Sequence, residues 1–294
     1  MRAPVSRLVN VFDPGAATDA ALSRRVFVGI GAGAAALGSS ASVLAATESF
    51  GKPHPPIVAE EDPAITVMRP MLRTGIPAYA AAPNNAARTT PGIVLVQHVW
   101  GVDATMRDDV RRLAKEGFVT AAPLLYGRMN PPDADNSDDF NLVQPYAQKL
   151  DQSVVQNDLV AAADWIRERV GSVRDGRPPK IGIVGFCGGG RIALRQAWSN
   201  PRPYDAAVIF YGAVAGQESG VPIPVMGNYG ARDTGIPAAD VRAFYARLSV
   251  PHDVKIYDEA GHAFFDDTRD SYVASAAAQA WTRSLAFLHK YLSA

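Results

Sequence analysis

The feature that most constrains this chain is its single cysteine, Cys187, at the centre of the sequence Gly-Phe-Cys-Gly-Gly at residues 185–189. An apolar run at residues 181–184 predicts a strand before it, and residues 191–198 predict the start of a helix after it. A strand, a Gly-flanked turn and a helix form a nucleophile elbow, which lifts a reactive side chain clear of a sheet. Glycine suits this strained turn, because a side chain beside the cysteine would clash. The pattern favours a nucleophilic thiol over the alternative of a small buried core cysteine.

Apolar runs alternate with amphipathic stretches along most of the chain. We predict strands at residues 65–68, 77–81, 93–96, 118–123, 181–184, 206–211, 224–229 and 253–257. We predict helices at residues 103–116, 154–170, 191–198, 237–248 and 272–291. Residues 124–148 predict a long irregular loop with a solvated acidic run. Strands that alternate with helices indicate an α/β fold, with a mostly parallel central sheet and helices on both faces, in one domain at residues 63–294.

The N-terminus predicts export. Residues 23–28, Ser-Arg-Arg-Val-Phe-Val, resemble a twin-arginine signal, and a Gly- and Ala-rich apolar stretch follows to about residue 44. Small residues next to it offer a cleavage site, so residues 1–46 are expected to engage the twin-arginine export machinery and direct the protein to the periplasm. An uncleaved membrane anchor stays an alternative, because the stretch is about long enough to span a bilayer. The Pro-rich residues 47–62 are predicted to form a linker.

The composition excludes several classes of partner. Lys plus Arg and Asp plus Glu both count 29, so the formal net charge is zero and nothing favours nucleic acid or an anionic membrane. One cysteine allows no internal disulfide, and no spacing of Cys or His indicates a metal site. We therefore expect no metal and no nucleic-acid partner.

A thiol with an ordinary pKa of about 8.5 needs a base, and a histidine within hydrogen-bond reach is the expected partner. Among the five histidines, His262 lies in the loop after the last predicted strand. In an α/β-hydrolase topology that loop carries the base to the top of the sheet. The positions of His54, His252 and His289 are more simply those of surface or packing residues.

The imidazole in turn needs an acid partner, and the expected chain order is nucleophile, acid, base. Asp233 satisfies this order in the loop after the strand predicted at residues 224–229. The alternative is that Asp233 only caps the helix that begins near residue 237. Asp240 is a weaker rival, since it falls inside that helix. Asp258 and Glu259 are closer to the histidine in sequence, but they would leave the loop of Asp233 without a role.

An oxyanion hole at such an elbow is formed by backbone N–H groups. One donor is the residue after the nucleophile, Gly188. The other is expected from the loop at residues 97–101, which follows the strand predicted at residues 93–96, and there the N–H of Val99 is the predicted donor.

These residues together resemble the dienelactone hydrolase family (carboxymethylenebutenolidase), from about residue 91 to residue 292. The segments that carry the resemblance are residues 97–101, 111–118, 185–189, 211–212, 230–237, 261–264 and 272–278. The resemblance implies an α/β-hydrolase fold. It also implies hydrolysis of a small-molecule ester or lactone through an acyl-thiol intermediate, without a cofactor.

The chain departs from the family at three positions. His98 stands where the founding members have a Glu that helps set the protonation of the thiol, so His98 either takes part in proton transfer or only lines the pocket. Asp266 and Leu142 stand where the resemblance expects two Arg that bind a substrate carboxylate, Leu142 being four residues before Tyr146. An anionic dienelactone is therefore a poor candidate substrate. Tyr146 and Trp100 are candidate pocket residues, although Trp100 fits a core position equally well.

Two other functions stay open at this stage. The same triad would also serve a thioesterase or a peptidase. Alternatively, the fold could be kept as a non-catalytic exported ligand-binding module. The change at residue 98 and the two lost Arg leave that last alternative open, whereas the complete set of Cys187, Asp233 and His262 speaks against it.

Overall fold

The computed structural model describes residues 56–135, 137–171, 178–199, 202–214, 216 and 220–293. Its strands are β1 (Ile65–Met68), β2 (Ala78–Pro83), β3 (Gly92–Val96), β4 (Val119–Pro123), β5 (Ile181–Phe186), β6 (Ala206–Phe210), β7 (Val225–Gly230) and β8 (His252–Tyr257). Its α-helices are α1 (Ala104–Lys115), α2 (Gln144–Gln148), α3 (Gln152–Val170), α4 (Gly188–Ser199), α5 (Ala238–Tyr245) and α6 (Ala274–Leu292).

The strands form one eight-stranded sheet in the order β1-β2-β4-β3-β5-β6-β7-β8. β1 and β2 pair antiparallel at one edge, and the other six strands run parallel. The predicted α/β class with a mostly parallel sheet is confirmed. Parallel strands place their carboxyl ends at one edge of the sheet, which is where loops in such folds form binding sites.

The apolar runs of the central strands serve two cores, one on each face of the sheet. In β3, Val94 and Val96 face a core shared with α3, α4 and α5, while Ile93 and Leu95 face a core shared with α1 and α6. Alternation with period two is what a strand buried on both faces requires. Helices therefore pack on both faces of the sheet and support the strands that end at its carboxyl edge.

The segment predicted as a long loop is more ordered than its composition suggests. Residues 127–129 and 140–142 form short 3₁₀ turns, and α2 follows them. Apolar side chains of this segment pack with the turn after β3 in a third, smaller cluster, whose buried members are Val99, Tyr126, Ala134, Val143 and Ala147. The acidic run is not simply solvated either, because Asp135 pairs with Arg107 and Asp138 pairs with Arg269.

The predicted export signal at residues 1–46 and most of the predicted linker lie outside the described residues. Residues 56–62, at the end of that linker, lie against the domain. The backbone N–H groups of Ile57 and Val58 donate to the carboxylate of Asp108 at 3.0 and 2.9 Å, and Val58 is buried. Among the residues that the structure describes, no helix is long and apolar enough to cross a membrane.

Candidate active site

Cys187 is the single residue between β5, which ends at Phe186, and α4, which begins at Gly188. Its φ is +54°, in the left-handed region that residues other than glycine rarely adopt. A Cβ atom at Gly185 would lie 2.2 Å from the carbonyl oxygen of Gly189, so the first turn of α4 can approach the strand only because glycine is present. This close approach explains why α4 begins before the predicted start at residue 191.

The thiol lies in one hydrogen-bonded chain with an imidazole and a carboxylate. Nε2 of His262, in the segment after β8, is 3.1 Å from Sγ of Cys187. Nδ1 of the same ring is 2.7 Å from Oδ2 of Asp233, which lies in the loop after β7. The structure thus brings together three residues that are far apart in the sequence. This is the order of groups that transfers a proton from a nucleophile to a base.

Asp233 is buried, and its two carboxylate oxygens have different partners. Oδ1 accepts hydrogen bonds from the backbone N–H groups of Gly235 and Ile236 at 2.9 and 3.1 Å, while Oδ2 faces the imidazole. The neighbouring helix α5 begins at Ala238 with Pro237 at its N-cap, so Asp233 is not the cap of that helix. The rival Glu259 instead accepts a hydrogen bond from the Ser275 hydroxyl.

Each group of the pair favours the charged form of the other. Burial raises the pKa of Cys187, but the charge and hydrogen bond of His262, the charge of His98 and the N–H of Gly188 outweigh burial and lower it. Burial lowers the pKa of His262, but the charge of Cys187 and the hydrogen bond of Asp233 raise it to about 10. A thiolate facing an imidazolium is the reactive form of a nucleophilic cysteine.

The turn after β3 lies against the start of α4. A Cβ atom at Gly189 would be 2.2 Å from the carbonyl oxygen of Gln97, so the backbones of the two segments are nearly in contact. Val99 is buried in this turn, and its carbonyl accepts a hydrogen bond from the Tyr126 hydroxyl at 3.0 Å. Both predicted oxyanion donors, Gly188 and Val99, therefore belong to backbone segments that approach each other beside the thiol.

Tyr211 is a site residue for which the sequence offered no role. The strand β6 ends at Phe210, one residue before the predicted end, because Tyr211 has a φ of +39°. Its ring lies 5.2 Å from the His262 ring, centroid to centroid. Ala263, next to the histidine, also has a positive φ of +57°. Strained backbone at three positions around one thiol indicates that the surrounding structure imposes this arrangement, a property typical of functional sites.

His98 lies between two buried carboxylates. Its Nε2 is 3.0 Å from Oδ1 of Asp103, and its Nδ1 is 3.5 Å from Oδ2 of Asp266. The two positions at which the chain departs most from the resemblance, 98 and 266, are thus in contact. Because the carboxylates lie at opposite nitrogens of the ring, the three residues do not converge on one point, and no metal-binding group of His, Cys, Asp or Glu is found within the described ranges. The sequence did not identify Asp103 as a site residue, because it is the first residue of the helix predicted at residues 103–116.

The predicted pocket residues lie on the far side of the same turn. Trp100 is half-buried, with the guanidinium carbon of Arg269 4.0 Å from its ring centroid. Arg269 also pairs with Asp138 and lies 3.6 Å from Oδ2 of Asp266. An arginine therefore does reach the site, from a position that the resemblance did not indicate. Tyr146 packs in the third cluster, 6.1 Å from the Tyr126 ring.

A cavity of about 310 Å³ adjoins this turn. Gln97, Trp100 and Tyr126 line it, together with residues 130–135. Neither Cys187 nor His262 is part of its wall, so the chemistry of the thiol is assigned to the elbow and not to this cavity.

Comparison with known proteins agrees with the geometry. The sequence profile of the dienelactone hydrolase family matches residues 76–292. This chain belongs to the dienelactone hydrolase family. A Yersinia pestis protein named "Putative carboxymethylenebutenolidase" is 36% identical over 226 residues, which cover 71% of this chain and 82% of that protein. The carboxymethylenebutenolidase of Pseudomonas putida is 34% identical over 213 residues, covering 69% and 87%.

A solved structure leads to the same family. The crystal structure described as "Putative Dienelactone Hydrolase" from Klebsiella pneumoniae is 33% identical to this chain, with a TM-score of 0.68. It covers 78% of this chain and 100% of its own. As a dienelactone hydrolase family member, the chain is an α/β-hydrolase that acts on a small molecule. Residues 187, 233 and 262 all fall within the matched region, whereas the first 75 residues lie before it.

Proposed function

We propose that this hydrolase cleaves a carboxylic ester or lactone with Cys187 as nucleophile, His262 as acid and base, and Asp233 as the group that orients the imidazole. The observation that carries the proposal is the continuous chain from Sγ to Nε2 at 3.1 Å and from Nδ1 to Oδ2 at 2.7 Å. A buried thiol without a function would not need a base at hydrogen-bond distance or a strained backbone.

In the first half of the reaction, the thiolate attacks the carbonyl carbon and a C–S bond forms. The carbonyl electron pair moves to oxygen, and the N–H groups of Gly188 and Val99 stabilise this oxyanion. When the carbonyl re-forms, the C–O bond to the leaving group breaks, and the alkoxide takes the proton from Nε2 of His262. The product is an acyl-thiol on Cys187 and a free alcohol, or one ring-opened chain if the substrate is a lactone.

In the second half, a water molecule attacks the acyl-thiol while His262 accepts its proton. The C–S bond breaks, the thiolate leaves, and the imidazolium is restored. Asp233 keeps Nδ1 protonated throughout, so that Nε2 is the nitrogen that exchanges protons. No step needs an oxidant, a reductant or a metal.

The charges around the thiol favour a neutral acyl group. Asp266 stands at the position where the resemblance expects an arginine for a substrate carboxylate, and its side chain is buried against His98. Arg269, which lies over the Trp100 ring, already has Asp138 and Asp266 as partners. Because this arginine is paired with carboxylates, we propose an uncharged ester or lactone as substrate.

The test compares Cys187→Ala and Cys187→Ser with the wild type on p-nitrophenyl acetate under reducing conditions. We expect Cys187→Ala to lose more than about 10³-fold in kcat/KM. We also expect mass spectrometry of the quenched wild type to find an acetyl group on Cys187. Matched thioester and anilide substrates separate an esterase from a thioesterase or a peptidase. Full activity in Cys187→Ala would overturn the proposal.

We also propose that residues 1–46 direct export through the twin-arginine pathway. The support is the pair Arg24 and Arg25 in front of the apolar stretch. Replacing both with Lys is expected to leave the chain in the cytoplasm as an uncleaved precursor, as measured by cell fractionation and by the N-terminal sequence. Periplasmic accumulation of this variant would exclude that route.

A further inference from the structure

Each ring nitrogen of the second histidine of the site lies within ion-pair distance of a carboxylate oxygen, although the contact at Nε2 lacks the alignment of a hydrogen bond. Nε2 of His98 faces Oδ1 of Asp103 at 3.0 Å, and Nδ1 faces Oδ2 of Asp266 at 3.5 Å. All three side chains are buried. A neutral imidazole carries one N–H and one lone pair, so one of these contacts would set a lone pair against a carboxylate oxygen. Only the doubly protonated ring offers a donor to both.

Both carboxylates are held in place independently of the histidine. Oδ1 of Asp103 caps helix α1 by accepting from the N–H of Met106 at 3.1 Å. Oδ1 of Asp266 accepts from the hydroxyl of Thr268 at 2.7 Å and from the hydroxyl of Thr105 at 3.3 Å. The two carboxylates are therefore built into the fold, and their burial favours a compensating positive charge between them.

We propose that His98 acts as a fixed positive charge, a positioning residue that keeps Cys187 in its thiolate form and exchanges no proton with it. This inference rests on the proposed role of Cys187 as nucleophile and extends it. The sequence left two roles for His98, proton transfer or lining of the pocket. The geometry favours a fixed charge, because a buried carboxylate lies within ion-pair distance of each ring nitrogen.

The charges around His98 come from several elements. Asp103 lies in the turn before α1, Cys187 in the elbow, and Asp266, Arg269 and His262 in the segment between β8 and α6. Burial lowers the pKa of His98, but the charges of these two aspartates and of Cys187 raise it to about 9.

The charge of His98 acts on the reaction in two places. It is among the causes that lower the pKa of Cys187. Val99, the next residue in the chain, carries the N–H proposed to bind the oxyanion. A fixed cation at position 98 therefore favours both the thiolate before attack and the negative oxygen after it.

The decisive experiment measures how the charges around Cys187 affect the reactivity of its thiol. Cys187 is the only cysteine, so thiol reagents report on this position alone. We would measure alkylation by iodoacetamide as a function of pH. We would also measure the rate ratio of an anionic sulfonate and a cationic ammonium methanethiosulfonate reagent. In His98→Gln we expect the thiol titration to move upward by about one unit. We expect the anionic-to-cationic ratio to fall roughly tenfold.

Two further variants make the result specific. His98→Lys keeps a positive charge and is expected to retain most of the wild-type reagent ratio. His252→Gln removes an exposed histidine on β8 and is expected to change neither quantity. A His98→Gln protein with the wild-type titration and the wild-type ratio would overturn the inference, and so would a His98→Lys protein that behaves like His98→Gln.

One measurement needs no variant at position 98. In the wild type labelled with ¹⁵N-histidine, at least two rings should be protonated on both nitrogens at about pH 8, since the pKa values of His98 and His262 are raised to about 9 and about 10. The absence of any doubly protonated ring at this pH would contradict the inference. Because alkylation does not depend on turnover, this inference can fail while Cys187→Ala is inactive, and the proposed hydrolysis can fail while the thiol is still activated.

Discussion

The site contains two histidines that differ in one respect, the number of carboxylates at the ring. His262 has Asp233 at Nδ1 and the thiol at Nε2. His98 has a carboxylate at each nitrogen. Both rings have a raised pKa, about 10 and about 9. Yet only the ring of His262 has a nitrogen that faces the thiol. Two histidines with a raised pKa are therefore proposed to have different roles, one that exchanges a proton with the thiol and one that keeps its proton, and the partner at the second nitrogen distinguishes them.

The largest effect is expected from replacing His262, the histidine proposed to exchange a proton with the thiol. His262→Gln removes the group that takes and returns the proton, and we expect kcat/KM for p-nitrophenyl acetate to fall by about 10⁴-fold. His252→Gln is the matched control, because this histidine is exposed and its Nδ1 only faces the carbonyl of Val250 at 2.9 Å. If both variants retained full activity, His262 would not be the acid and base of the reaction.

A smaller effect is expected from the carboxylate behind that histidine. Asp233→Asn keeps an oxygen for the N–H groups of Gly235 and Ile236, but it presents an amide to Nδ1, which favours the wrong tautomer. We expect a loss of about 10³-fold in kcat with the fold intact. Asp240→Asn, on the exposed first turn of α5, is the control. Equal activity of both variants would show that the loop of Asp233 is only structural.

The smallest effect is expected from removing one carboxylate partner of His98, the histidine proposed to keep its proton. Asp103→Ala removes both the cap of α1 and one partner of His98, and we expect the free energy of unfolding to fall by about 2 kcal/mol. Asp151→Ala is the control, because Asp151 caps α3 through Ser153 and Val154 but has no histidine partner. Urea denaturation measures the loss in free energy of unfolding for each variant. The larger loss in Asp103→Ala than in Asp151→Ala is the contribution of the ion pair with His98.

The contribution of this ion pair to the free energy of unfolding is expected to fall as pH rises. The folded-state pKa of His98 is raised to about 9, so its contribution is fully present below the ordinary value of about 6.5 and is lost as pH rises through about 9. Burial raises the pKa of Asp103, but the charge and hydrogen bond of His98 lower it below the ordinary carboxyl value of 3.8, so the contribution of Asp103 is lost only on strong acidification. The difference between Asp103→Ala and Asp151→Ala should therefore be largest near about pH 5 to 6. A difference that stays constant up to about pH 10 would mean that His98 carries no charge.

Much of the architecture follows from local pattern. The alternation of apolar and amphipathic stretches predicted the sheet, and the strands lie within a few residues of the predicted positions. The misplaced ends have a shared cause. α4 begins early because Gly185 lets the first turn of the helix approach β5, and β6 ends early because Tyr211 turns into the left-handed region. The secondary-structure propensity of a local sequence contains no information about such close approaches of two segments.

The charged surroundings of the thiol were the least predictable part. His98 and Asp266 were each noted as departures from the family, but they are separated by most of the domain and nothing in the sequence indicated that they meet. Arg269 reaches Trp100 and Asp138 from a position that no motif marks. Ion pairs of this kind depend on which loops meet at the carboxyl edge of the sheet, and that is a property of the topology rather than of any single segment.

The identity of the residues fixed what chemistry is available: one thiol in a glycine-flanked turn, a histidine and an aspartate in the order of an α/β-hydrolase, and a parallel sheet to support them. The folded chain decided how these groups are charged. Asp233 faces His262 and does not cap α5, and His98 lies between two carboxylates. A side chain's chemical type is set by covalent structure. Its protonation and role depend on neighbours that only long-range packing brings within a few ångströms.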